Sequence, residues 1–289
     1  MNIVLACDRE YEIFLATIIA SILTNAGEND IFIFYILNGG ISGKARRNIE
    51  KLKTIKDFSI LYIEVDQQKI LNCPVSPEYH FSIAAYYRFM IGDILQHEKR
   101  ALYLDVDMIV LGSLAELHAT DLRGFVLGAV PQNAGCEQED NIRLGLSRDN
   151  TYFNSGVLLI DLEKWRCLDI FSSLLETTER IASVLKWVDQ DVFNVYFENN
   201  FYVLEQKWNY ASEFVTQDTQ CAIVHFMGSD KFGVDASKYL HQYVAKTPYR
   251  AFPQHYARPK RYMPEDSFAR RIRNALKPLA ARLMARAAK

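Results

Sequence analysis

Short runs rich in Val, Ile, Phe and Tyr alternate along this 289-residue chain with longer stretches whose apolar positions recur every three or four residues. The runs at 2–7, 31–37, 58–65, 101–105, 125–130 and 156–160 predict strands. The amphipathic stretches at 13–26, 42–56 and 83–95 predict helices, as do 161–185 and 189–197, and a late apolar run ends in His225. Strand and helix taking turns in this way predict βαβ units around one mostly parallel sheet, covered on both faces. Right-handed crossovers in such a fold leave a ligand crevice at the carboxyl ends of the strands. The polar residues found there are Asp8 after the first run, Asp105 and Asp107 after the fourth, Pro131-Gln132-Asn133, and His225.

Composition narrows the class. With 49% apolar, 24% charged and 12% aromatic residues, the chain has the balance of a globular protein with a large core. The apolar run 13–23 is about half of the roughly 20 residues a spanning helix needs, and the first residues carry no basic segment of a signal peptide. Five scattered cysteines, none in a C-x-x-C pair, fit a reducing cytoplasmic setting better than a disulfide framework or a zinc site. Charge is uneven: seven of the 33 Lys and Arg lie in 267–289, where no acid occurs, so the rest of the chain holds 26 basic against 35 acidic side chains. An acidic body argues against nucleic acid as a partner. The expected organisation is one large domain over 1–247, a proline-punctuated linker over 248–266, and a basic amphipathic helical tail over 267–289. Such a tail suits an anionic membrane surface, with Pro278 kinking it.

Asp105-x-Asp107 is the leading chemical candidate because an apolar strand delivers two carboxylates to its own end. Carboxylates that close repel and are costly to desolvate unless a cation lies between them; capping of backbone amides is the plainer alternative. A second D-x-D, at Asp189 and Asp191, sits in a helical stretch. His225 is followed by Gly228 and Lys231, which suit close approach and a point charge toward phosphate. Two carboxylates with one imidazole suit Mn²⁺ better than an all-oxygen Mg²⁺ site. The chain has no G-x-G-x-x-G, P-loop, G-x-S-x-G or H-E-x-x-H motif.

Together these residues resemble the retaining glycosyltransferases of family 8, in particular bacterial lipooligosaccharide α-galactosyltransferases and lipopolysaccharide-core glucosyl- and galactosyltransferases. The resemblance runs in order over about 1–230: Ile3 to Asp8 with Tyr11, Ser82 to Arg88, Leu102 to Asp107, Tyr152 to Ile160, Lys164-Trp165-Arg166, Asp189-Gln190-Asp191 with Asn194, and His225-x-x-Gly228-x-x-Lys231. It implies a single Rossmann-like nucleotide-sugar-binding domain of the GT-A type. Its implied activity is transfer of glucose or galactose from UDP-glucose or UDP-galactose to a saccharide acceptor, at the inner face of the cytoplasmic membrane. By the same resemblance, Asp105, Asp107 and His225 hold Mn²⁺. Ala6, Cys7, Asp8, Tyr11, Arg88, Asp105, Val106, Asn154, Gly228 and Lys231 contact the donor, and His80 lies on the acceptor side. Asp189 and Gln190 fall at the catalytic positions; an amide is a poor nucleophile, which favours front-face attack over a glycosidase-like covalent step. Two positions depart from the family pattern. Glu10 stands where relatives often have Asn, which counts against a nucleoside contact there, and Gln132 where the lipooligosaccharide galactosyltransferases have Asp, so both sugars stay open. The rival readings are a haloacid-dehalogenase-type phosphatase, whose nucleophile motif also ends a strand in D-x-D, and an inactive UDP-sugar-binding protein.

Overall fold

In a computed structural model, described over residues 1–9, 11–75, 82–132, 137–212 and 220–227, the first half of the chain builds four parallel strands. These are β1 (Asn2–Asp8), β2 (Ile33–Gly39), β3 (Ser59–Glu64) and β4 (Arg100–Leu104), joined through α1 (Glu12–Thr24), α2 (Gly43–Glu50) and α3 (Ile91–Ile94). The chain then adds β5 (Met108–Val110), α4 (Ala115–Ala119), β6 (Leu127–Pro131), α5 (Glu137–Leu144) and β7 (Phe153–Asp161). Next come α6 (Leu162–Cys167), α7 (Ile170–Ile181), α8 (Val188–Tyr196), β8 (Tyr202–Val203), β9 (Tyr210–Ala211) and β10 (Ile223–His225). The main sheet has the order β3-β2-β1-β4-β7-β6-β8 and a small one the order β5-β10-β9.

Alternation along the central strands explains the layering. Ile3, Leu5, Leu102, Leu104, Val157 and Leu159 enter one core with α1 and the small sheet. Val4, Ala101, Tyr103, Leu158 and Ile160 enter the other, with the 83–90 segment and α6 to α8. Both faces are therefore buried, as near-continuous apolar strands require.

The mostly parallel sheet matches the expected fold class, with one consequential exception. The run expected at 156–160 is the longer β7, and it runs antiparallel to both β4 and β6. Its start therefore lies beside the end of β4, where the amide of Asp105 donates to the Gly156 carbonyl at 2.9 Å. The helix expected over 83–95 is a 3₁₀ helix over Ile83–Met90 before α3. Three residues per turn eclipse i and i+3, so Tyr86 meets Phe89 edge-on at 5.3 Å and Arg88 folds back onto the Ala85 carbonyl at 3.0 Å. The helix expected over 161–185 breaks at Asp169, whose φ of 45° ends α6 and starts α7. No helix among the described residues is long and apolar enough to cross a membrane. The linker and tail expected at 248–266 and 267–289 lie outside the described residues, as does the end of the large domain.

Candidate active site

Asp105 and Asp107 leave β4, and β10 returns beside them. Its antiparallel register sets His225 opposite Met108, and the Phe226 amide donates to the Asp107 carbonyl at 3.0 Å. His225 Nε2 stands 3.3 Å from an Asp107 oxygen and 3.8 Å from an Asp105 oxygen. One ligand atom from each of the three side chains falls within 4.8 Å of the others, in a group that is buried except for Asp105. Two hard oxygen donors and one imidazole nitrogen, converging at the edge of a core, fit a divalent cation.

Arg88 organises the second half of the site. It is 6% exposed, and its guanidinium donates to Asp105 at 2.9 Å and to the Ser155 carbonyl at 2.7 Å. Its Nε lies 3.2 Å from Asp189, and its plane sits 4.4 Å over the Tyr103 ring. Tyr103 donates its hydroxyl to the same Asp105 oxygen at 2.8 Å, and burial holds that phenol well above its usual pKa. Burial alone works to neutralise Arg88, but the Asp105 and Asp189 carboxylates outweigh it and raise its pKa. The Asp189 pKa is raised as well, up to about 6, which for an acid favours the neutral form, because burial dominates and Asp105 is a like charge nearby. The guanidinium, shared with Asp105, and the Ser155 hydroxyl at 3.0 Å only partly offset this.

The two carboxylates of the second D-x-D part company. Asp191 accepts from Arg143 at 2.8 and 2.9 Å, from the Tyr152 hydroxyl at 2.7 Å, and from the Lys186 and Trp187 amides at 2.7 and 2.9 Å. An acid in the first turn of α8 thus clamps the chain that enters it. Between the clamp and Asp189 lies Val188, at a φ of 38° that β-branched residues seldom adopt, at a cost of about 1–3 kcal/mol. The strained entry aims Asp189 at Arg88 and leaves Gln190 half-buried beside Asn154.

A chain of amides closes the site. His225 Nδ1 faces Asn209 Oδ1 at 3.0 Å; Asn209 donates to Asn154 at 2.7 Å, Asn154 to Gln190 at 2.8 Å, and Gln190 to Gln132 at 3.0 Å. Asn209, Ser155 and Tyr103 were not singled out from the sequence. An isolated Asn ahead of a two-residue strand, or a Tyr inside an apolar run, carries no periodic signal. Of the other expected residues, Ala6, Cys7 and Asp8 lie at the carboxyl end of β1, on the edge where β4 ends. The Tyr11 amide donates to the Asp8 carboxylate at 3.2 Å, and the Tyr11 ring packs 5.5 Å from Phe14. Cys7 is buried, which pushes its thiol pKa well up, and Val106 is buried between the two acids. His80, Gly228 and Lys231 lie outside the described residues.

A mostly parallel sheet with a two-acid strand exit met by a histidine defines an α/β protein with a candidate cation site at the edge of its sheet. The chain belongs to glycosyl transferase family 8, whose family model matches residues 2–232. It is 33% identical over 240 residues to glycosyltransferase GlyF of Streptococcus pneumoniae serotype 4, covering 80% of this chain and 56% of that protein. The chain spans about half the length of that relative and of GlyB from the same organism. Against the lipopolysaccharide 1,2-glucosyltransferase of Escherichia coli it is 29% identical over 259 residues, covering 82% of this chain and 74% of the relative. Among solved structures it resembles the galactosyltransferase LgtC in complex with donor and acceptor sugar analogues. That match has a TM-score of 0.77 and 27% identity, covering 89% of this chain and 95% of the other.

Proposed function

We propose that the chain is a Mn²⁺-dependent retaining hexosyltransferase that moves glucose or galactose from a UDP-sugar to a saccharide acceptor. The acceptor would be the lipopolysaccharide or lipooligosaccharide core or another surface glycan. The observation that carries this reading is the convergence of Asp105, Asp107 and His225 at the strand edge, joined by hydrogen bonds to Gln190. The E. coli glucosyltransferase and the galactosyltransferase LgtC support hexosyl transfer and leave the two sugars level.

Bound Mn²⁺ would supply positive charge to the leaving diphosphate, the electrostatic contribution that usually dominates such reactions. Asp105, Asp107 and His225 are its ligands in this reading, with Gly228 and Lys231 gripping the diphosphate. Asp8 at the end of β1 and Tyr11 at the start of α1 take the uracil, with Ala6, Cys7 and Val106 alongside. Arg88 holds Asp105 in place and, through it, the donor side of the site. Asp189 is spoken for by Arg88 and Ser155, so its task is to orient the sugar rather than to attack it. Gln190 presents an amide to the anomeric region, with Asn154 fixing it. Retention then follows from front-face attack, in which the acceptor hydroxyl passes its proton to the departing phosphate oxygen. In the same reading His80 would serve the acceptor, and the basic stretch 267–289 would keep the enzyme peripherally on the inner face of the cytoplasmic membrane.

The test is UDP release from UDP-glucose and UDP-galactose with and without Mn²⁺, for the wild type and for Asp105→Asn and Asp107→Asn. One sugar should be hydrolysed slowly without acceptor in Mn²⁺, and either variant should lower that rate roughly 100-fold or more. Equal rates with and without the metal, or in the variants, would overturn the reading.

A further inference from the structure

The amide chain beside the metal ligands has a direction, and the backbone sets it. A main-chain N–H can only donate, so the side-chain atom it meets must be an oxygen. The Gly156 amide meets one Asn154 side-chain atom at 3.0 Å, which makes that atom Oδ1. The Ser155 amide meets one Gln190 side-chain atom at 3.2 Å, which makes that atom Oε1. Asn154 must then turn Nδ2 to Gln190, as it does at 2.8 Å, and its Oδ1 must accept from Asn209 Nδ2, as it does at 2.7 Å. Asn209 is left with its oxygen toward His225, 3.0 Å from Nδ1. The only good hydrogen bond there is donated by an Nδ1–H. In a neutral ring the lone pair is then on Nε2, the atom that faces Asp105 and Asp107.

We infer that Asn209 is a positioning residue whose amide, polarised through Asn154 by the β7 backbone, fixes the tautomer that bares His225 Nε2 toward the two carboxylates and ties the metal site to Gln190. Without that acceptor the neutral ring gains more by carrying its proton on Nε2, against Asp107 at 3.3 Å, and such a ring cannot ligate a cation there. The same amide holds Asn154, and Asn154 holds Gln190, so one residue serves both the cation and the sugar side. The inference rests on the metal reading of the site, and its test keeps the two apart.

The experiment uses the full chain. Histidine ¹⁵N and ¹³C–¹H correlations, recorded without metal across a pH series and read in its neutral-ring limit, should place the His225 proton on Nδ1. A proton on Nε2 in the wild type would overturn the inference without any variant. Asn209→Ala should move the proton toward Nε2 and weaken Mn²⁺ binding, read by electron paramagnetic resonance, by roughly 10–100-fold. Asn209→Asp keeps an acceptor for Nδ1–H but loses the donor to Asn154. It should retain the tautomer and bind Mn²⁺ within a few-fold of wild type, while kcat for UDP-sugar hydrolysis falls. Wild-type tautomer and Mn²⁺ affinity in Asn209→Ala, or an Asn209→Asp that behaves like Asn209→Ala, would sink the proposed role. Failure of the wild type to bind Mn²⁺ at all would instead sink the metal reading, and the tautomer measurement would still decide the role of Asn209.

Discussion

Gly156 is where the sheet and the imidazole come closest, and its replacement by Ala is the sharpest single perturbation available. A Cβ at this position would lie 2.5 Å from His225 Cε1, 2.7 Å from the Met108 methyl and 2.9 Å from Asn154 Oδ1. Ordinary carbon contacts are about 3.5–4.0 Å, so the ring must retreat by roughly 1 Å. The methionine methyl can swing aside. The strand beneath the new methyl is held on the β4 side, where its Gly156 carbonyl accepts from Asp105, and its pairing with β6 resumes at Asn154 and Leu158 on either side of a bulge. The burden falls on His225, held from behind by Asn209. Overpacking of this kind costs about 1–3 kcal/mol, and a domain of this size loses roughly 2–4 °C in Tm for each.

Metal binding should suffer more than folding. Ligand distances are tolerated to about 0.2 Å, far less than the displacement required. Gly156→Ala is therefore expected to melt a few degrees low yet bind Mn²⁺ at least about 10-fold more weakly, by calorimetry and spin resonance on the same sample. Gly43→Ala is the control. That glycine is exposed in the first turn of α2, its added Cβ would meet only Arg47 at 3.5 Å, and the change should leave both readouts level or raise Tm slightly. Wild-type Mn²⁺ affinity in a folded Gly156→Ala protein would refute the close approach of His225 to β7, and with it the ligand geometry.

Arg88→Met should destabilise the fold by about 3–5 kcal/mol in urea titrations, since it leaves Asp105 and Asp189 facing each other without their shared cation; Arg88→Lys should not restore this, lacking the fork and the stack on Tyr103. The Asp189 carboxyl titrates near 6 when folded and lower when unfolded, so its contribution is full below the unfolded value and lost as pH rises through about 6; relative to wild type, Asp189→Asn should gain stability between pH 4 and 7. Asp191→Ala should cost about 3–5 kcal/mol by removing the acceptor of Arg143, Tyr152 and the α8 entry, while the protein that still folds binds Mn²⁺ normally. Deleting 267–289 removes seven basic residues worth about 1 kcal/mol each at an anionic surface, so sedimentation with anionic vesicles should vanish while UDP-sugar hydrolysis persists; unchanged vesicle binding would remove the anchor.

Much of the fold was legible because both faces of its sheet are buried, so the central strands read as unbroken apolar runs whose ends are easy to find. Direction was not legible. The run at 156–160 is apolar whichever way it points, and only pairing with β4 and β6 decides that β7 is antiparallel. That reversal carries Asn154 and Ser155 to the edge where Asp105 emerges; a parallel strand would have put them at the far end of the sheet. Asn209 was hidden for a related reason. It acquires its role only when β10 pairs with β9 on one side and β5 on the other, contacts separated by long stretches of chain.

The two D-x-D pairs show how far local spacing carries meaning. At a strand exit, residues two apart point the same way, because side chains alternate with a period of two. Asp105 and Asp107 lie just past the end of β4, and both carboxylates reach one imidazole. On a helix, two residues are 200° apart at about 100° each, so carboxylates with the same spacing diverge. Asp189 turns to Arg88 across from β7, and Asp191 turns back to cap its own helix against Arg143. The same D-x-D spacing therefore gives a candidate cation site in one place and a helix clamp in the other. What separates them is the secondary structure that precedes each: a strand buried from Ala101 to Leu104 before Asp105, and a strained left-handed Val188 before Asp189. The first is written in the apolar pattern. The second exists only because Asp191 already holds the turn, so its signal lies in the folded contacts and not in the order of residues.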